Sequence, residues 1–193
     1  ERGKLAARRH DQFNVWAISP LVALTLFALS AEHSTADTWL TYLVFGYIVV
    51  DTCYNAFVPH CQPHTLRLAT ILLHHTLTAL LLLHPILHAE HAHFTALGTL
   101  VELNTLVHNA NKVFGGGFLA VSFYASWVGL RLVWYPWLVW RFHKAMVTWG
   151  SEAWVDVAWW QVVGAQAALS SLNYFWTAEL LVGMALKKKK KSA

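Results

Sequence analysis

The sequence predicts an all-α, polytopic membrane protein, with about six transmembrane helices enclosing a polar or lipid-accessible cavity. Three observations carry this expectation. The 193 residues are 56% hydrophobic and only 12% charged, with a mean hydropathy of +0.42, too apolar for an ordinary soluble domain. The apolar residues gather in runs of the length, about 20 residues, that crosses a hydrocarbon core. Ionisable side chains lie inside those runs, where a charge costs ~2.5 to 3.5 kcal/mol on insertion scales and so turns toward a partner or a wet interior.

The runs fall at Phe13 to Ala31, Trp39 to Val58, Leu66 to Ala89, Phe94 to Phe114, Phe118 to Trp140 and Val157 to Leu186, the fourth being the weakest. Pro59 and Pro63 close the second run, and Gly115-Gly116-Gly117 separates the fourth from the fifth. Pro20, Pro85 and Pro136 fall inside spans, where a kink is tolerated when other groups recover the freed carbonyls. Short connections imply antiparallel neighbours and one compact unit. The expected division is a cytosolic N-terminal segment (1–12), a transmembrane domain (13–186) and a cytosolic polybasic tail (187–193).

Basic residues set the orientation. With both termini cytosolic, that side holds eleven lysines and arginines, while the other holds only Arg141 and Lys144. The formal +4 charge thus resides mainly in segments facing anionic lipid, and a nucleic-acid partner is not expected. The C-terminal Lys190-Lys191-Ser192-Ala193 has either the spacing of a dilysine endoplasmic-reticulum retrieval signal or that of a plain polybasic stop. Glu1 is not a natural start, so a trimmed or processed N-terminus is expected, and no secretory signal peptide is evident.

Cys53 and Cys61 form no metal-ligand spacing; Cys53 is expected in the core and Cys61 in a cytosolic loop beside His60 and His64. His84, His88 and His91 make an i, i+4, i+7 series near His93; interfacial polar groups are a better account of it than zinc, and no metal is expected. His108, with Asn104 and Asn111, fits hydrogen bonding between helices.

At 1.5 Å per residue, Asp51 and His74 share a level roughly 11 to 12 Å below the cytosolic surface, and Glu102 and Arg131 lie nearer the midplane. One cavity can hold Asp51, His74, His75, Glu102 and Arg131. Residues three, four and seven apart share a helix face, so Asp51 is grouped with Tyr47, Tyr54, Asn55 and Val58, and Glu102 with Gly98, Thr99, Thr105 and Asn109. Around Arg131 stand Tyr124, Trp127, Trp134, Tyr135 and Leu138, an aromatic wall suited to a guanidinium or an acyl chain.

The ordered series Gly46-Tyr47-x-x-x-Asp51, Leu73-His74-His75, Glu102-Leu103-Asn104-Thr105, then Arg131 followed by Pro136, resembles the TLC domain of ceramide synthases and their non-synthase relatives, over roughly Leu40 to Leu186. The resemblance implies membrane helices around a lipid-accessible tunnel, with the His pair, Asp51 and Glu102 turned inward. Ceramide synthases follow the His pair with a His-Asp step that this sequence lacks, and Glu102-Leu103-Asn104-Thr105 is similar to the pattern of the non-synthase relatives.

The expected function is lipid handling, binding or regulating an acyl lipid or phospholipid in an intramembrane cavity, with no tightly bound cofactor. An acyl-CoA-dependent acyltransferase is the alternative: His74 or His75 serves as base or nucleophile, Asp51 orients it, and Arg131 or Lys112 meets the coenzyme A phosphates. An accessory subunit with membrane-protein partners is a third reading. Candidate catalytic residues are therefore His74, His75 and Asp51; candidate substrate-binding residues are Glu102, Asn104, Thr105, Arg131, Tyr47, Asn55, Trp127 and Trp134.

Overall fold

A computed structural model describes residues 1–30, 34–149 and 155–192, and among them every regular element is helical. Helix α1 (Arg2–Ser30) starts well before the expected Phe13. Residues 2–12, anticipated as a segment preceding the first span, are its first turns, where Leu5-Ala6-Ala7 supply good helix formers. Its buried stripe runs His10, Asn14, Ile18, Leu21, Val22, Thr25 and Ala28, one face at helical spacing that is polar at the N-terminal end and mainly apolar beyond. Helix α2 (Ser34–Phe57) carries the antiparallel counterpart, Leu40, Val44 and Ile48 followed by Asp51 and Asn55. The two polar ends meet.

A 3-10 turn at Pro59–Cys61 leads to α3 (Thr65–Leu87), whose N-cap His64 accepts a hydrogen bond from the Arg67 backbone N–H at 3.1 Å. The weak fourth run forms α4 (His93–Thr99) and α5 (Glu102–Phe114). Between them the chain tightens without unwinding: Leu100 and Val101 keep helical dihedrals, and the N–H groups of Leu103 and Asn104 bond three residues back. Gly115 (φ 71°) and Gly116 (φ 113°) make the turn into α6 (Gly117–Ser126), a backbone conformation open to residues without a Cβ.

Helix α6 continues through a π stretch, Trp127–Trp134, into α7 (Tyr135–Trp149). Pro136 follows at once and has no N–H for the carbonyl four residues earlier, which accounts for a slip of the ladder at this place. Helix α8 (Val155–Trp159), a second π stretch at Trp160–Gly164 and α9 (Ala165–Ser192) complete the bundle. By length and composition alone, 2–30, 35–57, 65–87 and 117–148 can each cross a membrane; α4–α5 and α8–α9 pack beside them.

Cross-links place one set of helix ends together. Tyr54 Oη donates to the Ala6 carbonyl (3.2 Å), Lys112 pairs with Asp11 (3.0 Å) and Arg67 with Glu179 (3.5 Å). Three apolar clusters hold the bundle, one around Leu21, Leu40, Val44, Ile48 and Leu82, a second around Val101, Leu138, Phe142, Met146 and Leu169, and a smaller third of Phe123, Trp127 and Trp176. Cys53, expected in the core, is exposed on α2, because it is off the Asp51–Asn55 face, while Cys61 lies in the connecting 3-10 turn as expected and is buried there. Burial raises the Cys61 thiol above its ordinary range. The 150–152 part of the Arg141 to Glu152 loop and the last residue of the retrieval-type signal lie outside the described residues.

Candidate functional site

Asp51 is 4% exposed and stands between two imidazoles. His10 Nε2 lies 2.5 Å from its Oδ1 and His75 Nε2 lies 3.2 Å from its Oδ2. Asn55, fully buried, donates through Nδ2 to the Asp51 backbone carbonyl (2.8 Å) and to Oδ2 (3.3 Å), and accepts from Gln62 at 2.6 Å. On the far side of His75, Nδ1 is 3.0 Å from Thr52 Oγ1, whose hydroxyl donates to the Ile48 carbonyl at 2.6 Å. With that proton committed, the Thr52 oxygen accepts from His75 Nδ1–H. His75 Nε2 meets Asp51 Oδ2 as an ion-pair contact, and Nδ1 is the ring nitrogen that makes a hydrogen bond.

His74 takes another direction, since neighbours on a helix point about 100° apart. Its ring is 5.4 Å from that of Trp176 on α9, and its buried Nδ1 has no hydrogen-bond partner. The expectation that both histidines meet Asp51 thus holds for His75 alone.

Arg131 forms a second polar centre. Its Nε donates to Asn104 Oδ1 (2.7 Å), Nη1 to Asn173 Oδ1 (2.8 Å) and Nη2 to Thr105 Oγ1 (2.8 Å). The guanidinium carbon lies 5.0 Å from the Trp127 ring centroid and 5.9 Å from that of Trp176. Asn104 is saturated, because its Nδ2 donates to the Phe123 carbonyl and Ser126 Oγ. Trp134 instead points its indole N–H at the Leu97 carbonyl (2.9 Å). No carboxylate among the described residues reaches within 4 Å of Arg131; Glu102 acts on it from further away. Lys112 is held by Asp11, away from this centre.

A narrow, mainly apolar cavity of about 50 Å³ runs between the helices, room for several waters. Residues of α1, α2, α3, α4, α7 and α9 contribute to its wall, among them Leu21, Ile48, Leu81, Gly98, Phe142 and Leu169. Glu102, Tyr47 and Tyr135 are polar groups of its wall; His84 and His91, bonded to each other at 2.9 Å, belong to the part near the α3–α4 connection. The five ionisable groups expected in one cavity are divided: Glu102 lines it, while Asp51 and His75 form one separate centre, Arg131 another, and His74 stands apart. Tyr47 joins cavity to centre, since its hydroxyl donates to Asn14 Oδ1 (3.2 Å) and Asn14 Nδ2 is 3.4 Å from His10 Nε2. Among the described residues no group of three or more His, Cys, Asp or Glu is arranged to hold a metal ion.

The family model for the TLC domain matches residues 12–182. The chain belongs to the TLC-domain family. No curated protein and no solved structure matches it. A TLC domain is a membrane domain of lipid-related proteins, and in this TLC chain the matched stretch includes Asp51, the His pair, Glu102 and Arg131.

Several members of these centres escaped sequence reasoning, His10, Thr52, Asn173 and Trp176 among them. His10 stood before the first expected span, and only the extension of α1 brings it beside Asp51. Asn173 and Trp176 lie on α9, where nothing in local sequence pairs them with Arg131. A usable signal for His10 was present: His10, Asn14, Ile18 and Leu21 already share one helical face.

Proposed function

We propose that this TLC-domain chain binds a single acyl lipid in its central cavity and thereby senses, moves or sorts it. The observation that carries this reading is the wall itself: apolar side chains from helices throughout the bundle with few polar groups, among them Glu102, Tyr47 and Tyr135, the chemistry of a site that buries a chain and fixes one polar end. Gly98 lies in that wall, and a Cβ built on it meets nothing within 4 Å. A Gly98→Phe substitution therefore occupies ligand space instead of displacing core. The expected outcome is loss of co-purified lipid, measured by native mass spectrometry, with an unchanged melting temperature; full lipid retention in a folded Gly98→Phe protein overturns the reading.

Acyl transfer is the second reading, favoured by the alignment of Asp51, His75 and Thr52. In the present geometry His75 Nδ1 is bonded to Thr52, and neither His74 nor His75 lines the cavity, which favours binding over chemistry. His74→Asn and His75→Asn separate the two readings. Product formed from labelled acyl-CoA by the unaltered protein and abolished in either variant would establish transfer, whereas no product together with retained lipid leaves binding.

A further inference from the structure

A second groove lies outside the central cavity, where the first turns of α1 meet the end of α2 and the Pro59–Cys61 turn. Its α1 wall includes Arg2, Arg9 and Phe13, one stripe at helical spacing, and its α2 wall includes Val50 and Tyr54, with His60 from the turn. Chemistry is graded along it. Arg2 and His60 stand where the connecting turn reaches the helix ends, while Phe13, eleven residues on from Arg2, lies roughly 16 Å further along the helix axis. Phe13 and Val50 are 42% and 53% exposed, on surface that faces lipid once the bundle is embedded.

The two arginines have no counter-charge: neither reaches a carboxylate within 4 Å among the described residues, and the neighbouring Asp11 is committed to Lys112. Close packing builds the groove, since a Cβ on Gly3 would stand 3.1 Å from the His60 carbonyl oxygen. We infer that this groove holds one anionic phospholipid, its phosphate between Arg2, Arg9 and His60 and the upper part of an acyl chain along Phe13 and Val50. A free phosphate would satisfy the arginines but leave the apolar half empty, so the occupant is the lipid.

Tyr54 gives the site a consequence. It forms part of the groove wall, its hydroxyl donates to the Ala6 carbonyl, and its ring stacks on His10 at 4.9 Å and 10°. A lipid in the groove is therefore one aromatic ring away from the His10–Asp51–His75 centre.

The test titrates purified full-length protein in detergent with phosphatidylglycerol and with phosphatidylcholine of the same chains, counting adducts by native mass spectrometry. A positive residue near a membrane surface contributes about fivefold in affinity, so Arg2→Gln with Arg9→Gln should weaken phosphatidylglycerol binding roughly 25-fold and leave phosphatidylcholine unchanged. Arg8→Gln removes the same charge from the same helix outside the groove and should change binding less than twofold. Val50→Trp, which fills the apolar end, should weaken both lipids. Glycerol 3-phosphate, the soluble phosphate source, should not compete. Equal affinity for the two lipids, equal losses in Arg8→Gln and the double variant, or competition by glycerol 3-phosphate overturns the inference. The Gly98→Phe protein keeps this site separate from the central cavity: loss of the phosphatidylglycerol adduct there, with the arginine variant silent, assigns the lipid to the cavity and overturns the groove.

Discussion

His10 shows how one residue changes the reading of a buried acid. Asp51 in a membrane bundle needs compensation, and it receives an imidazole on each carboxylate oxygen with the Asn55 amide alongside. Removing one partner of a buried ionic pair leaves the other uncompensated and typically costs about 3 to 5 kcal/mol. His10→Ala should therefore lower the thermal midpoint in detergent markedly. Asp51→Asn should cost less, because it removes the charge that needs compensation. Thermal unfolding of both variants checks this, and a His10→Ala protein as stable as the parent would mean that Asp51 is satisfied by other groups. Arg131 teaches the complementary lesson: three neutral oxygens join two indole faces in holding a guanidinium for which the sequence suggested an aromatic wall.

At the level of elements, the bundle departs from regular helix where the sequence carries proline, glycine or a polar step. The π stretch of Trp127–Trp134 contains Arg131 and precedes Pro136, so the irregularity and the buried cation coincide, a frequent association of π geometry with functional positions. The Gly115–Gly116 turn is the sharpest backbone requirement. Gly116, at φ 113° and ψ 144°, lies in a region essentially reserved for glycine, and a side chain there costs about 1 to 3 kcal/mol. Gly116→Ala should destabilise by that amount, whereas Gly117→Ala, whose Cβ meets nothing within 4 Å, should be close to neutral. Denaturant or thermal titration of the pair distinguishes a conformational requirement from a general intolerance of the loop.

For the whole molecule the decisive quantity is topology. Helix ends joined by Tyr54–Ala6, Lys112–Asp11 and Arg67–Glu179 form one pole, and we propose from the positive charge of the sequence that this pole faces the cytosol. Gln62→Cys reports on this pole and Glu90→Cys on the opposite one. The native Cys61 is buried with a raised thiol pKa and so should react slowly; Cys53, which is exposed, is replaced by Ser. In sealed outward-facing microsomes an impermeant maleimide should label position 62 directly and position 90 only after permeabilisation. Labelling of both without detergent overturns the assignment.

The sequence by itself determined the helical membrane bundle, the glycine turn and the polar stripes of α2 and α4–α5, because hydropathy, punctuation and helical period are local properties of a chain. Glu102 with Gly98 and Thr99, and Asp51 with Asn55, were legible as faces for that reason. Only the tertiary structure decided which faces meet. It sent His75 to Asp51 and His74 to Trp176, supplied Asn173 and Trp176 to Arg131 from the last helix, and carried His10 to a carboxylate 41 positions away in sequence. Those pairings depend on how far each helix extends and how it is rotated against its neighbours, and both are set by packing over the whole bundle.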